Sequence, residues 1–212
     1  PPYSGATEEW NADFAYGVWA TGGSLNTARS TLAGAGTQTA ALAIGGNASS
    51  PAEVANTELY NGTAWAEIND LNTAKRQNSG CGSTTASALT FGGRDPGTSA
   101  KTESWNGTNW TEVNDLNTAR EQLAGAGVSN TSALAFGGNT PPRTAVTESW
   151  NGTNWTEVND LNTARRLLGG VGTQTAALAI GGLDTAVTAI TEVWNGTNWT
   201  EVNDLNNARY GL

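Results

Sequence analysis

Residues 147–165 read Thr-Glu-Ser-Trp-Asn-Gly-Thr-Asn-Trp-Thr-Glu-Val-Asn-Asp-Leu-Asn-Thr-Ala-Arg. Near-copies of this stretch recur along the chain. Its last five residues start at Leu25, Leu116 and Leu161, with the variants Leu-Asn-Thr-Ala-Lys at Leu71 and Leu-Asn-Asn-Ala-Arg at Leu205. The spacing is 44 to 46 residues. A regular period of that size means stacked or radially arranged supersecondary units, not one irregular globule.

Working outward from the quoted stretch defines the unit. Leu123 to Gly127 is a run of small residues, followed by a turn at Val128, Ser129 and Asn130. The apolar segment from Thr131 to Phe136 ends at Gly137 and Gly138. A variable stretch then leads to Thr147–Trp150, the Asn151-Gly152 turn and Trp155–Val158. Asn-Gly between two β-enriched segments is a strong hairpin signal, because both residues tolerate the positive φ of a tight turn. No stretch shows a 3.6-residue apolar period, so almost no helix is expected. Four short strands per unit, repeated, predict the blade of a β-propeller. A β-solenoid is the structural alternative, although its coils are usually shorter.

Side-chain size agrees with the propeller. Strands crowded around an axis need Gly and Ala, whereas diverging outer strands need bulk. All nine Trp fall in two columns. Trp10, Trp105, Trp150 and Trp194 precede the hairpin turn, with Tyr60 in the fifth copy; Trp19, Trp65, Trp110, Trp155 and Trp199 follow it. A buried Trp removes roughly 150–250 Å² from water, so a core is available although Leu, Ile and Phe are scarce. The expected architecture is all-β: a single domain over residues 1–212, with repeat units 29–73, 74–118, 119–163 and 164–207. Residues 1–28 and 208–212 form a closing blade that lacks a Gly-Gly strand, which makes five blades. Four blades with a displaced N-terminal hairpin, or a longer array, are the alternatives.

Composition narrows the function. The formal net charge is −9 with ten basic residues, the wrong sign for neutralising phosphates, so no nucleic acid is expected. An acidic surface also disfavours anionic membranes, and no apolar run approaches a membrane span. No signal peptide is recognisable. The chain begins Pro1-Pro2 without Met, as a processed product, a fragment or a trimmed form would. The one cysteine, Cys81, falls where other units carry Ala35, Ala126 and Val171, and reads as a small buried hydrophobe.

The landmarks together resemble kelch repeats: Arg before the first strand, Gly-Gly ending the second, Glu-x-aromatic in the third and Trp in the fourth. The resemblance covers nearly the whole chain. The hairpin from Trp105 to Trp110 is shorter than is usual for that family. The wording of the unit also resembles kelch-like arrays of marine bacteriophages and environmental bacteria. The resemblance implies a propeller that binds ligands near the mouth of its central channel. It points to Arg29, Lys75, Arg120, Arg165 and Arg209 as a ligand-binding collar. The alternative is that each of these cations caps loop carbonyls or pairs with an in-register carboxylate; Lys75 also lacks the bidentate fork of Arg.

No catalytic residue, metal or cofactor is expected. The copper oxidases with this architecture need His ligands, and the chain has no His. Zinc lacks His and Cys ligands. The acids recur in register: Glu8, Glu58, Glu103, Glu148 and Glu192 in one column, Glu67, Glu112, Glu157 and Glu201 in another. A residue present in every blade is more often structural than catalytic. Asp70, Asp115, Asp160 and Asp204 are flanked by Asn, but each loop holds too few oxygens for calcium, and a turn-stabilising role is expected. Asn-Gly-Thr and Asn-Trp-Thr match glycosylation triplets and are read as turns.

Strand direction places the Leu-Asn-Thr-Ala-Arg loops on the same face as the second-to-third-strand loops 47–56, 94–101, 139–146 and 183–190. Those loops are where the copies differ, and loops on a rigid scaffold are where recognition resides. The expectation is a non-enzymatic binding and display module, extracellular or virion-associated. It would recognise a cell-surface glycan or protein in a phage tail or other extracellular assembly. The alternative is a purely structural subunit docking to virion or filament neighbours.

Overall fold

The structure is a computed structural model that describes residues 4–11, 18–49 and 52–212. Among these, every regular element is a strand. After a hairpin of β1 (Glu8–Asn11) and β2 (Val18–Thr21), the first blade comprises β3 (Ala33–Thr37), β4 (Ala40–Ile44), β7 (Thr57–Tyr60) and β8 (Trp65–Glu67). A short pair, β5 (Asn47–Ser49) and β6 (Ala52–Glu53), lies in its long loop. The second blade runs β9 (Ser79–Thr84), β10 (Ser87–Phe91), β11 (Thr102–Trp105), β12 (Trp110–Val113). The third runs β13 (Ala124–Ser129), β14 (Ser132–Phe136), β15 (Thr147–Trp150), β16 (Trp155–Val158). The fourth runs β17 (Gly169–Gly172), β18 (Ala177–Ile180), β19 (Thr191–Trp194), β20 (Trp199–Glu201). Each of the four repeat units contains one whole antiparallel blade.

The first strands β3, β9, β13 and β17 pack side by side in that order and line an axial cavity of about 790 Å³. Their small residues are a steric requirement. A Cβ on Gly170 would lie 2.6 Å from Gly125 O, and one on Gly125 would lie 2.6 Å from Phe91 Cζ. Such approaches exclude any side chain.

Farther out, the blades diverge and aromatic residues fill the wedge. Trp150 is 1% exposed and faces Trp155 across the β15–β16 register at 5.4 Å between ring centroids. Each wedge also joins two blades: Phe136 of β14 packs on Trp199 of β20 at 4.9 Å, and Phe91 of β10 on Trp155 of β16 at 5.0 Å. Such aromatic pairs contribute about 0.5–1.5 kcal/mol beyond their buried area. The core is therefore a series of inter-blade clusters, in keeping with nearest-neighbour stabilisation in repeat proteins.

Polar ties repeat with the same period. The indole Nε1 of Trp110, Trp155 and Trp199 donates to the buried hydroxyl of Thr57, Thr102 and Thr147 in the preceding blade. At one end of the axis, Gln77 N donates to Thr31 O, Gln122 N to Gln77 O, Leu167 N to Gln122 O and Gly211 N to Leu167 O. Thr31, Gln77, Gln122 and Leu167 hold φ between 53° and 58°, an uncommon region for residues with a Cβ. The same strained turn in each of the four complete blades offers one carbonyl to the turn that follows.

The β1–β2 hairpin forms the incomplete closing blade beside the first. Gln38 Nε2 donates to Trp10 O, the contact that Gln174 of the fourth blade makes with Trp150 O of the third. One sequence expectation changes here. Trp10 and Trp19 pair at 5.5 Å but are 45% and 64% exposed, so the aromatic wedge is not covered in this blade. The closing blade lacks its second strand, as expected: residues 209–212 are seated on the fourth blade through Gly211 N to Leu167 O and form no assigned strand with the hairpin. Backbone pairing needs a partner strand between them, and only the four complete blades contain one.

Candidate functional site

Four of the five collar cations lie inside the blades, with Arg29 4% exposed and Lys75, Arg120 and Arg165 0% exposed. Each reaches the column glutamate of its own blade, also buried. Arg29 Nη1 lies 2.8 Å from Glu58 Oε1, Lys75 Nζ 3.4 Å from Glu103, Arg120 Nη2 3.2 Å from Glu148 and Arg165 Nη2 2.9 Å from Glu192. The arginines also donate to second-strand carbonyls, at Ala43, Ala135 and Ala179. The other glutamate oxygen is taken by the preceding loop: Asn117 N and Nδ2 donate to Glu148 Oε2 at 2.7 and 2.8 Å, and Asn162 does the same to Glu192. This is a correction to the collar of Arg29, Lys75, Arg120 and Arg165 as a ligand surface. A fully buried charge needs an internal counter-charge, and the in-register Glu supplies it. Arg209 alone is exposed.

Burial dominates the electrostatics. It pushes the Arg120 guanidinium down to about 10, against the opposing pull of Glu148. It also lowers Lys75 and Arg165, with Glu103 and Glu192 opposing it. The Cys81 thiol, buried as expected, is raised to about 12 by desolvation.

The aspartate column is structural, but its bonds reach across the hairpin and are not the local Asx turns expected from the sequence. Asp70, Asp115, Asp160 and Asp204 each accept the backbone N–H that opens the third strand, at Thr57, Thr102, Thr147 and Thr191. Asn61, Asn106, Asn151 and Asn195 cap their own Asn-Gly-Thr turns through Oδ1.

The variable loops do share a face with the Leu-Asn-Thr-Ala-Arg loops. Bridges join Ser30 to Asn47, Arg76 to Arg94, Glu121 to Asn139 and Arg166 to Leu183. The backbones match closely: Ser99 N donates to Gly93 O, Thr144 N to Gly138 O and Thr188 N to Gly182 O. Their side chains do not match. Arg94 pairs with Glu121 at 3.3 Å, Arg143 with Asp184 of the next blade at 2.6 Å, Arg76 with Glu53 at 3.1 Å and Lys101 with Asp95 at 3.3 Å. All four cationic side chains are partly exposed. This second set of basic residues is the one that sequence reading passed over. The signal was the residue after each repeat cation: Arg76, Glu121 and Arg166 differ in charge where the rest of the motif is uniform. At the axial end near Thr31, Gln77, Gln122 and Leu167 lies a pocket of about 380 Å³, also lined by Leu32, Leu123, Leu168 and Leu212.

Fold and loop face together define a β-propeller of four-stranded blades. The chain is similar to a solved structure described as "Structure of YjhT", with a TM-score of 0.80 at 10% identity, covering 98% of this chain and 80% of that one. At that identity the likeness shows the fold. No family model and no curated protein matches the chain.

Proposed function

We propose that the protein is a non-enzymatic binding and display module. Its loop face recognises a cell-surface glycan or protein, in a phage tail or other extracellular assembly. The observation that carries this reading is the loop set 94–101, 139–146 and 183–190. One backbone geometry is held rigid by each blade while the charged and polar side chains differ. Such a rim presents amide, hydroxyl and paired charged groups to hydroxyl-rich or polar ligands. Weak contacts from several blades would add through avidity where the module is displayed in many copies. The column acids support a non-catalytic reading, since Glu58, Glu103, Glu148 and Glu192 and the four aspartates already have structural partners. Glycan-array and cell-binding assays test it. Saturable binding that is lost when residues 139–146 are replaced by 94–101 supports the loop face. Binding that survives this exchange and the reverse one overturns it.

A structural subunit is the second reading, favoured by exposed Trp10, Trp19, Tyr210 and Leu212. It predicts no ligand binding and a stable complex with a neighbouring protein that buries these four residues.

A further inference from the structure

On the side away from the variable loops, neighbouring blades are clasped by an amide side chain. Asn130, in the first turn of the third blade, donates through Nδ2 to Ser104 Oγ and Trp105 O of the second at 3.0 and 3.1 Å. Its Oδ1 accepts from Ser87 Oγ at 2.8 Å. Gln174 of the fourth blade makes the same set on the third: Nε2 donates to Ser149 Oγ and Trp150 O, and Oε1 accepts from Ser132 Oγ. Gln38 of the first blade reaches Trp10 O. In each case the acceptor carbonyl belongs to the column aromatic of the preceding blade.

The junction between the first and second blades lacks this clasp. Thr85 stands at the position of Asn130 and Gln174: its carbonyl accepts from Trp105 Nε1 at 2.8 Å, as theirs do from Trp150 and Trp194. Among the described residues no side chain donates to Tyr60 O, the carbonyl that matches Trp105 O and Trp150 O. The serine partners are missing as well. Ala40 holds the place of Ser87 and Ser132, and Leu59 that of Ser104 and Ser149. In place of the clasp is a pocket of about 420 Å³, lined by Leu59, Ile68, Thr85 and Trp105, with the exposed Asn69 and Thr108 at its rim. That volume falls within the roughly 300–1,000 Å³ of small-ligand sites, and the apolar walls give water few partners.

We propose that this junction is a binding site for the acetamido group of an N-acetylated sugar. The seat keeps the main-chain acceptor that holds an amide N–H at the other junctions, here Tyr60 O. It has exchanged the two hydroxyls that serve a primary amide for Ala40 and Leu59. The methyl of a secondary amide therefore matches it better than a second N–H does, since a buried donor without an acceptor is costly. The ligand N–H donates to Tyr60 O, its methyl packs on Leu59 and Ile68, and its carbonyl accepts from the Thr85 hydroxyl. The sugar ring then lies toward Asn69 and Thr108, whose amide and hydroxyl meet its own hydroxyls. The choice of a glycan rests on the binding reading above, whereas the place is separate from the loop face.

N-acetylglucosamine and N-methylacetamide are the probes, titrated into the full chain and read by NMR. Both should shift the Trp105 Nε1–H and Ile68 methyl signals saturably, and glucose and glucosamine should not. Thr85→Gln restores the residue type found at Gln38 and Gln174, fills the seat and should weaken both probes about tenfold or more. Thr85→Val removes only the hydroxyl and should weaken them about three- to tenfold. Neither variant should change the circular dichroism of the free protein. No saturable shift, an equal response to glucose, or unchanged affinity in Thr85→Gln overturns the proposal. Glycan binding that moves only signals of residues 94–101, 139–146 or 183–190 also overturns it, and leaves the loop-face reading standing. Glycan binding that survives the loop exchanges and is lost in Thr85→Gln supports this seat and overturns that reading.

Discussion

Arg165 Nη2 donates to Glu192 Oε1 at 2.9 Å with neither side chain exposed to solvent. The pair links the loop that enters a blade to that blade's third strand, across the second strand, whose Ala179 carbonyl the same guanidinium also holds. The same tie occurs in all four complete blades, through Lys75 in the second. The motif that resembles a ligand collar is in this fold the internal brace of each blade.

Breaking one brace should be costly. Glu148→Ala leaves the Arg120 guanidinium buried without its counter-charge and the Asn117 backbone N–H without its acceptor. A loss of about 3–5 kcal/mol is expected, read from urea unfolding. Replacing both partners by hydrophobic residues, as in Arg120→Met with Glu148→Leu, should lose much less.

The alkaline response of Lys75 has a defined sign. Burial lowers its folded pKa below the 10.5 of the free side chain. Between those two values the unfolded chain binds more protons, so raising pH toward 10.5 stabilises the fold. The parent should gain stability relative to Lys75→Met over that window, measured by urea midpoints at successive pH.

Cys81 should behave in the opposite way. Its folded thiol, raised to about 12 from 9.0, stays neutral while the unfolded thiol ionises. Stability therefore falls as pH rises from 9.0 toward 12, and Cys81→Ala should remove that loss. At neutral pH the variant should differ by less than about 1 kcal/mol, within the range of mild substitutions. Iodoacetamide should label the parent only as it unfolds.

The inter-blade indole bonds make unequal predictions. Thr102→Val leaves the buried Trp155 Nε1 without its acceptor and should cost about 1–3 kcal/mol. Thr7→Val, at the matching place in the closing blade, should cost less, because Trp65 Nε1 already lacks that bond. Thermal melts of the two variants side by side decide the matter.

Asp160 supplies a single oxygen to Thr147 N at 2.9 Å. Asp160→Ala should cost about 1 kcal/mol, typical of one hydrogen bond, while Asp160→Asn retains the acceptor and should cost less. Added calcium should leave the melting temperature of the parent unchanged.

Much of the architecture was legible because period, turn chemistry and side-chain size act locally. The Asn-Gly turns dictate the outer hairpins, and backbones crowded at the axis admit only the Gly/Ala runs. The aspartates were read as local turn stabilisers, whereas each caps a strand start 13 residues away, a partner that the hairpin and not the loop supplies. The charged columns were harder still. From sequence, Arg120 and Glu148 are a cation and an anion 28 positions apart, equally fit to meet a ligand or each other. The rim charges hid in loops that follow no repeat.

By itself, then, the chain determined its strands, their order within a blade and the bulk each must carry, since these follow from the repeat alone. Only the tertiary structure decided which copies of a residue are covered. Trp105 and Trp10 share one motif, as do Arg165 and Arg209, yet the first of each pair is buried and the second lies open. Burial is conferred by the neighbouring strands, and no residue carries its neighbours in its own identity.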